Sequence, residues 1–165
     1  MYDLKPLSPS AVPAALAKAE RYRFLHEPEQ SESICEDVLR ADPDNYAARV
    51  MLILAITDGF PQSAQDAGRA LALVSGLPSE YDRHYYAGLV AERRGRAVLS
   101  RGGPGGRAAG SWLHQAMREY DLADGLRPPD NDDARLRWNA CARVLNTHPD
   151  LLVEDDGPAT PIMLE

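Results

Sequence analysis

The chain has 165 residues, a formal net charge of −7, 44% hydrophobic residues and 26% charged ones. That length fits a single domain with enough interior to fold without a disulfide or a metal, and the composition is that of a globular protein, not a disordered or fibrous one. The acidic balance argues against nucleic acid, which selects a basic footprint. The longest apolar run, residues 50–56, is too short to cross a membrane, and no basic stretch followed by an apolar core marks a leader.

Helical periodicity recurs along the chain, and no sustained apolar–polar alternation marks a strand. The first helix is expected from residue 10 or 12 to 26, with Ser10 as N-cap, Pro13 in the first turn and Pro28 enforcing the stop. The second covers 29–41, where Ile34, Cys35, Val38 and Leu39 recur at helical spacing. Asp44 or Asn45 caps the third, 45–58, which is apolar nearly all round and so belongs in the middle of a stack, with Gly59 as its left-handed cap. The fourth follows Pro61 and runs to about 74; the fifth covers 79–100, with Glu80 and Asp82 complementing its N-terminal dipole. Residues 101–107 read Arg-Gly-Gly-Pro-Gly-Gly-Arg and predict a loop. The sixth helix is expected over 108–125 and the seventh over 131–145, with Ala134, Trp138, Cys141 and Leu145 as its inner stripe. The expected domain organisation is therefore a flexible N-terminus over 1–9, a helical body over 10–146, and an acidic, disordered tail over 147–165.

Three turns share a form: Asp42-Pro43-Asp44-Asn45, Leu77-Pro78-Ser79-Glu80 and Pro128-Pro129-Asp130-Asn131. Pro43 and Pro78 lie 35 residues apart, and Gly88, Gly95, Ala116, Tyr120, Ala123 and Pro128 follow a pattern of small residues, an aromatic and a closing proline. On these residues the chain resembles the tetratricopeptide repeat family, whose unit is about 34 residues folded as two antiparallel helices. The resemblance covers roughly residues 12 to 145 as three degenerate units and a capping helix. Arg49 and His84 stand where that family places a tryptophan, and the third unit is about 16 residues too long, with the excess at 96–111. The resemblance implies an all-α, right-handed stack of about seven helices whose concave groove holds a peptide or helix of another protein: an adaptor, scaffold or chaperone, and no enzyme. In size and acidity the chain is similar to bacterial secretion chaperones that cradle translocator proteins.

Arg93, Arg94, Arg96, Arg101 and Arg107 cluster around the glycine loop. Guanidinium groups grip carboxylates bidentately, so this cluster could seat a carboxylate-bearing partner; a solvated helix end, or a dock for the acidic run at 154–156, is the plainer reading, since most charge runs are merely solvated. The repeat frame places Arg49, Tyr81, His84 and Tyr85 on the groove. The partner-binding set is thus Arg49, Tyr81, His84, Tyr85, Arg93, Arg94, Arg101 and Arg107. A rival reading is an enzyme or small-ligand binder with its pocket at the loop and arginine cluster, lined by Arg94, His84 and His114. The loop follows a helix and lacks the Lys-Ser or Lys-Thr pair of a phosphate-binding loop. His26, His84, His114 and His148 are scattered, and Cys35 and Cys141 sit far apart in helical patterns. No metal, cofactor or disulfide is expected, and the thiols suit a reducing, cytoplasmic setting. Sixteen arginines against Lys5 and Lys18 fit a GC-rich bacterial source. The expected partner is another protein, with a homodimer as a further possibility, and neither nucleic acid nor membrane.

Overall fold

The structure is a computed structural model that describes residues 2–62, 67–102 and 106–151. Among the described residues it is all-α. Seven helices follow one another: α1 (Val12–Phe24), α2 (Pro28–Ala41), α3 (Tyr46–Asp58), α4 (Ala67–Ser75), α5 (Glu80–Ser100), α6 (Gly106–Leu126) and α7 (Asp133–Thr147). Each packs antiparallel on its sequence neighbours, and contacts also join α1 to α3, α3 to α5 and α5 to α7. The odd-numbered helices therefore form a continuous row. On the other side Arg69 of α4 reaches back to α2, to Glu32 and Glu36, at 2.6 Å each. No helix among the described residues is long and apolar enough to cross a membrane.

Local chemistry explains most boundaries. Asn45 caps α3 by accepting from the Ala48 N–H at 2.9 Å, and Ser79 caps α5 by accepting from Asp82 at 3.3 Å. Pro28 occupies the first turn of α2, where its missing N–H costs nothing. Ser10 is no cap, contrary to its expected role: Pro9 and Pro13 fix helical φ on either side, so the chain enters α1 through a 3-10 turn, Pro9–Ala11, that contains Ser10. Gly59 likewise differs from expectation. Its φ of −78° is right-handed, because its N–H still bonds to Ala55 and Ile56 and the chain winds on as far as Phe60 and Gln62. Left-handed residues follow α1 at His26, where φ is +58° and the N–H bonds to Arg23, and α5 at Gly102, where φ is +66° and the N–H bonds to Leu99.

The core lies in two parts. The first joins α1 to α5 around Leu52, Ile53, Ile56, Phe60 and Val90, and the second joins α5, α6 and α7 around Leu113, Tyr120, Cys141 and Leu145. The α5–α6 pair is where the extra length of the third unit goes. Both helices run 21 residues, so most of the excess lengthens a hairpin and α6 already contains Gly106 and Arg107, inside the loop expected over 101–107. Of that loop, residues 103–105 lie outside the described residues. Small side chains permit the close approach: a Cβ on Gly88 would stand 2.7 Å from the Tyr120 ring, and one on Gly95 would stand 3.1 Å from the Ala109 carbonyl oxygen.

The packed body also runs past residue 146. α7 ends at Thr147, and a 3-10 turn, Pro149–Leu151, lays a fully buried Leu151 against Gly106 and Gly110, where a Cβ at Gly110 would collide with the Leu151 carbonyl. The acidic tail over 152–165 and the start of the fourth helix at 63–66 lie outside the described residues.

Candidate functional site

The odd row carries an ionic ladder contributed by all four of its helices. Asp58 ends α3. One oxygen of its carboxylate receives Arg23 Nε of α1 at 2.7 Å and the other receives Arg93 of α5 at 2.6 Å. Arg93 also donates to the Thr57 hydroxyl at 2.6 Å and to the Leu54 carbonyl at 3.0 Å, filling acceptors at the end of α3. Arg23 leans on the Met51 sulfur. Met51, Leu54 and Asp58 are three and four residues apart, so one face of α3 presents all three.

One helical step from Arg93, Glu92 is only 2% exposed. A buried carboxylate must be paired and hydrogen-bonded, and three side chains do this. The Tyr120 hydroxyl donates to Oε2 at 2.8 Å, Arg96 Nε donates to Oε1 at 2.8 Å, and Arg137 of α7 stands 3.5 Å from Oε2. Burial, then the Glu92 charge and hydrogen bond, push the Tyr120 phenol far up, so it stays protonated and keeps donating. Burial works against the Arg137 charge, but Glu92, Tyr120 and Tyr85 outweigh it and raise its pKa. Burial lowers the pKa of Arg93; Asp58 resists this, while the like charges of Arg23 and Arg137 add to it. The arginines of the ladder thus lie within electrostatic reach of one another.

Each of the two carboxylates is bracketed by a pair of arginines. Within the ladder four guanidinium groups stand against two carboxylates, a surplus of two positive charges in a chain whose net charge is −7. Arg23 and Arg93 are 19% and 21% exposed, whereas Arg96 and Arg137 are 43% and 37% exposed.

Of the partner-binding set expected from the sequence, only Arg93 belongs to this ladder, and Tyr85 borders it. Tyr85 packs on Tyr120 with ring centroids 6.0 Å apart and on Tyr81 at 5.8 Å, nearly parallel. The Tyr81 hydroxyl is buried without a hydrogen bond, although Asn131 lies near enough to oppose the burial-driven rise of its pKa. His84 turns to α6, where Nδ1 meets Glu119 at 2.8 Å. Arg49 ties two turns together by donating to the carbonyls of Pro43 and Gly76. Arg94 faces the end of α3, its guanidinium 6.0 Å above the Phe60 ring, with Nε and one terminal nitrogen buried and unbonded. Arg101 closes the same corner by donating to the Phe60 carbonyl at 2.6 Å. Arg107 is exposed in the first turn of α6. The arginines that are neighbours in sequence therefore diverge in space.

Arg23, Asp58, Glu92 and Arg137 were not singled out from the sequence, and Arg96 only as part of the loop cluster. The one available signal was Glu92 with Arg96 at i,i+4 spacing, set among small residues on a helix. A cavity of about 310 Å³ adjoins the ladder, lined by Arg23, His26, Pro28, Asp58 and Gln62; a neighbouring one of about 360 Å³ is lined by His26, Pro28, Glu32, Ile56, Gly59 and Gln62, and one of about 290 Å³ lies between α6 and α7 beside Tyr120, Asp124, Arg135 and Trp138. Among the described residues no three His, Cys, Asp or Glu side chains gather for a metal. No family model matches the chain, and neither does any curated protein or solved structure.

Proposed function

We propose that the chain is a tetratricopeptide-like helical stack that works as a protein-interaction module, taking a segment of another protein across the face of its odd-numbered helices. The contacts of α1 with α3, α3 with α5 and α5 with α7 support the stack, since nested hairpins place alternate helices side by side. The small residues at the α5–α6 contact, Gly88 and Gly95 against Tyr120, Ala109 and Leu113, support it as well.

The observation that carries the binding reading is the ladder itself. All four odd helices contribute side chains to one half-exposed face where charge and apolar surface alternate, from Arg23 and Met51 through Leu54, Asp58 and Arg93 to Arg137. A rigid face with arginine anchors is the kind of surface on which binding energy concentrates. A benzophenone amino acid at position 140, half-buried on α7 one turn from Arg137, tests it in lysate of the source organism. An adduct of defined mass from position 140, and none from position 122 on the outer side of α6, is the expected result. Equal labelling from both positions, or none, refutes the reading.

A further inference from the structure

We propose that the segment received by this face is acidic, a run of Asp and Glu side chains on a partner protein, read chiefly by the terminal guanidinium nitrogens of Arg96 and Arg137. This rests on the interaction reading above and adds the chemistry of the partner. The argument begins with what the fold requires. One cation neutralises a carboxylate; Asp58 and Glu92 each have two. A second guanidinium beside a carboxylate already paired adds desolvation and like-charge repulsion, and the lowered pKa of Arg93 beside Arg23 and Arg137 reflects both. Folding accounts for one cation at each carboxylate and, at Glu92, also favours the charge of Arg137; what it leaves over is the exposed donor capacity of Arg96 and Arg137.

The geometry divides the four arginines. Arg23 and Arg93 are committed: Arg93 donates to three acceptors, and Arg23 grips Asp58 and touches Met51. Arg96 and Arg137 are not. Arg96 spends only its Nε on Glu92, and Arg137 approaches the same carboxylate no closer than 3.5 Å; both are more than a third exposed. Among the described residues the two terminal nitrogens of Arg96 make no hydrogen bond and keep the fork that fits a carboxylate bidentately, while Arg137 keeps part of its guanidinium exposed beside Glu92 and Tyr85. A chain of net charge −7 repels acidic segments at long range, so selection of one requires a local positive field. Among the described residues the odd-row ladder supplies it.

The test is fluorescence anisotropy on the full chain with labelled 12-residue peptides: alternating Glu and Ala, the Gln–Ala twin and the Lys–Ala twin. The Glu peptide should bind at least about tenfold tighter than the Gln twin, and the Lys twin should not bind. Raising NaCl from about 50 to 300 mM should weaken the Glu peptide at least fivefold, as ion-pair screening demands. The double variant R96Q/R137Q should weaken it at least tenfold, while R40Q/R118Q, an equal charge change on the even-numbered helices α2 and α6, should leave it within twofold. Should R96Q/R137Q fail to fold by circular dichroism, R96K/R137K keeps the charge and removes the forks, and a loss of about threefold is then expected. Equal affinity for the Glu and Gln peptides, or equal loss in R40Q/R118Q, overturns the proposal. A chain truncated after Leu151 that gains tenfold for the Glu peptide also overturns it, by showing that the chain's own acidic run is the occupant. If position 140 captures a partner while the Glu and Gln peptides bind alike, the acidic inference falls and the interaction reading stands.

Discussion

Replacing Tyr120 by Phe removes one oxygen from the centre of the α5–α6–α7 core and tests how Glu92 is kept there. Tyr120 is fully buried, and its hydroxyl donates to Glu92 Oε2 at 2.8 Å. Without it, that oxygen keeps only Arg137 at 3.5 Å, while Oε1 keeps Arg96. A hydrogen bond to a charged acceptor contributes about 1.5–3 kcal/mol, and the void left by a hydroxyl is too small to add much, so a loss of about 2 kcal/mol is expected. For a chain of this length that is a fall in Tm of about 4–8 °C. Urea unfolding followed by circular dichroism at 222 nm should show the midpoint moving down by about 1 M with unchanged slope. The companion variant Glu92→Gln separates the causes: in its background Tyr120→Phe should cost about 1 kcal/mol less, because an amide is cheaper to leave short of a partner than a carboxylate. A Tyr120→Phe variant within about 0.5 kcal/mol of the parent would refute the claim that the phenol holds a buried charge.

Gly88→Ala should cost about 1–3 kcal/mol by overpacking, since its Cβ would fall 2.7 Å from a Tyr120 ring that cannot move away, whereas Gly68→Ala in α4, with nothing within 4 Å, should raise stability by about 0.5–1 kcal/mol; urea midpoints of the two variants check this. Gly110→Ala should detach Leu151, seen as faster amide exchange at residues 149–151 and a loss of about 1.5–3 kcal/mol. Burial raises the Cys35 thiol from 9.0 to about 11 and the Cys141 thiol from 9.0 to about 12, in the latter with help from Glu92. A raised folded-state pKa means that the stabilisation is complete below pH 9 and is lost as pH climbs toward 12. The stability read from urea unfolding should therefore fall by about 3 kcal/mol between pH 8 and pH 10, and most of the drop should be lost in the Cys35→Ala/Cys141→Ala variant, the rest coming from buried phenols such as Tyr120 whose raised pKa acts in the same direction. At pH 8 a thiol reagent should label neither cysteine until the chain unfolds.

The helices were legible in the sequence because their signals are local. Asn45 and Ser79 cap where short polar side chains precede apolar runs, and the prolines punctuate. Ser10 and Gly59 misled because neighbouring residues overruled them, two prolines in one case and a winding continuation to Phe60 and Gln62 in the other. The glycine-rich stretch looked longer as a loop than it is, because Gly106 and Gly110 are helical glycines selected for close approach to Leu151, a contact about 40 residues away in sequence. The candidate site was mostly illegible for the same reason. Arg23, Asp58, Arg93 and Arg137 come from four different helices, and only the stacking of alternate helices brings them to one face. Arginines crowded between 93 and 107 looked like a single patch, yet a helix turns about 100° per residue, so Arg94 leaves it toward Phe60 while Arg93 and Arg96, three residues apart, share the ladder face.

The arginine side-chain Nε–H region of a ¹⁵N-correlated NMR spectrum, recorded while the Glu–Ala peptide is titrated into the full chain, watches every guanidinium at once. Arg23, Arg93, Arg96 and Arg137 should shift together along one binding isotherm, with Arg40, Arg83 and Arg135 unmoved. Shifts confined to Arg83, Arg127 or Arg135, or a spectrum that never changes, would place the binding surface somewhere other than the row of odd-numbered helices.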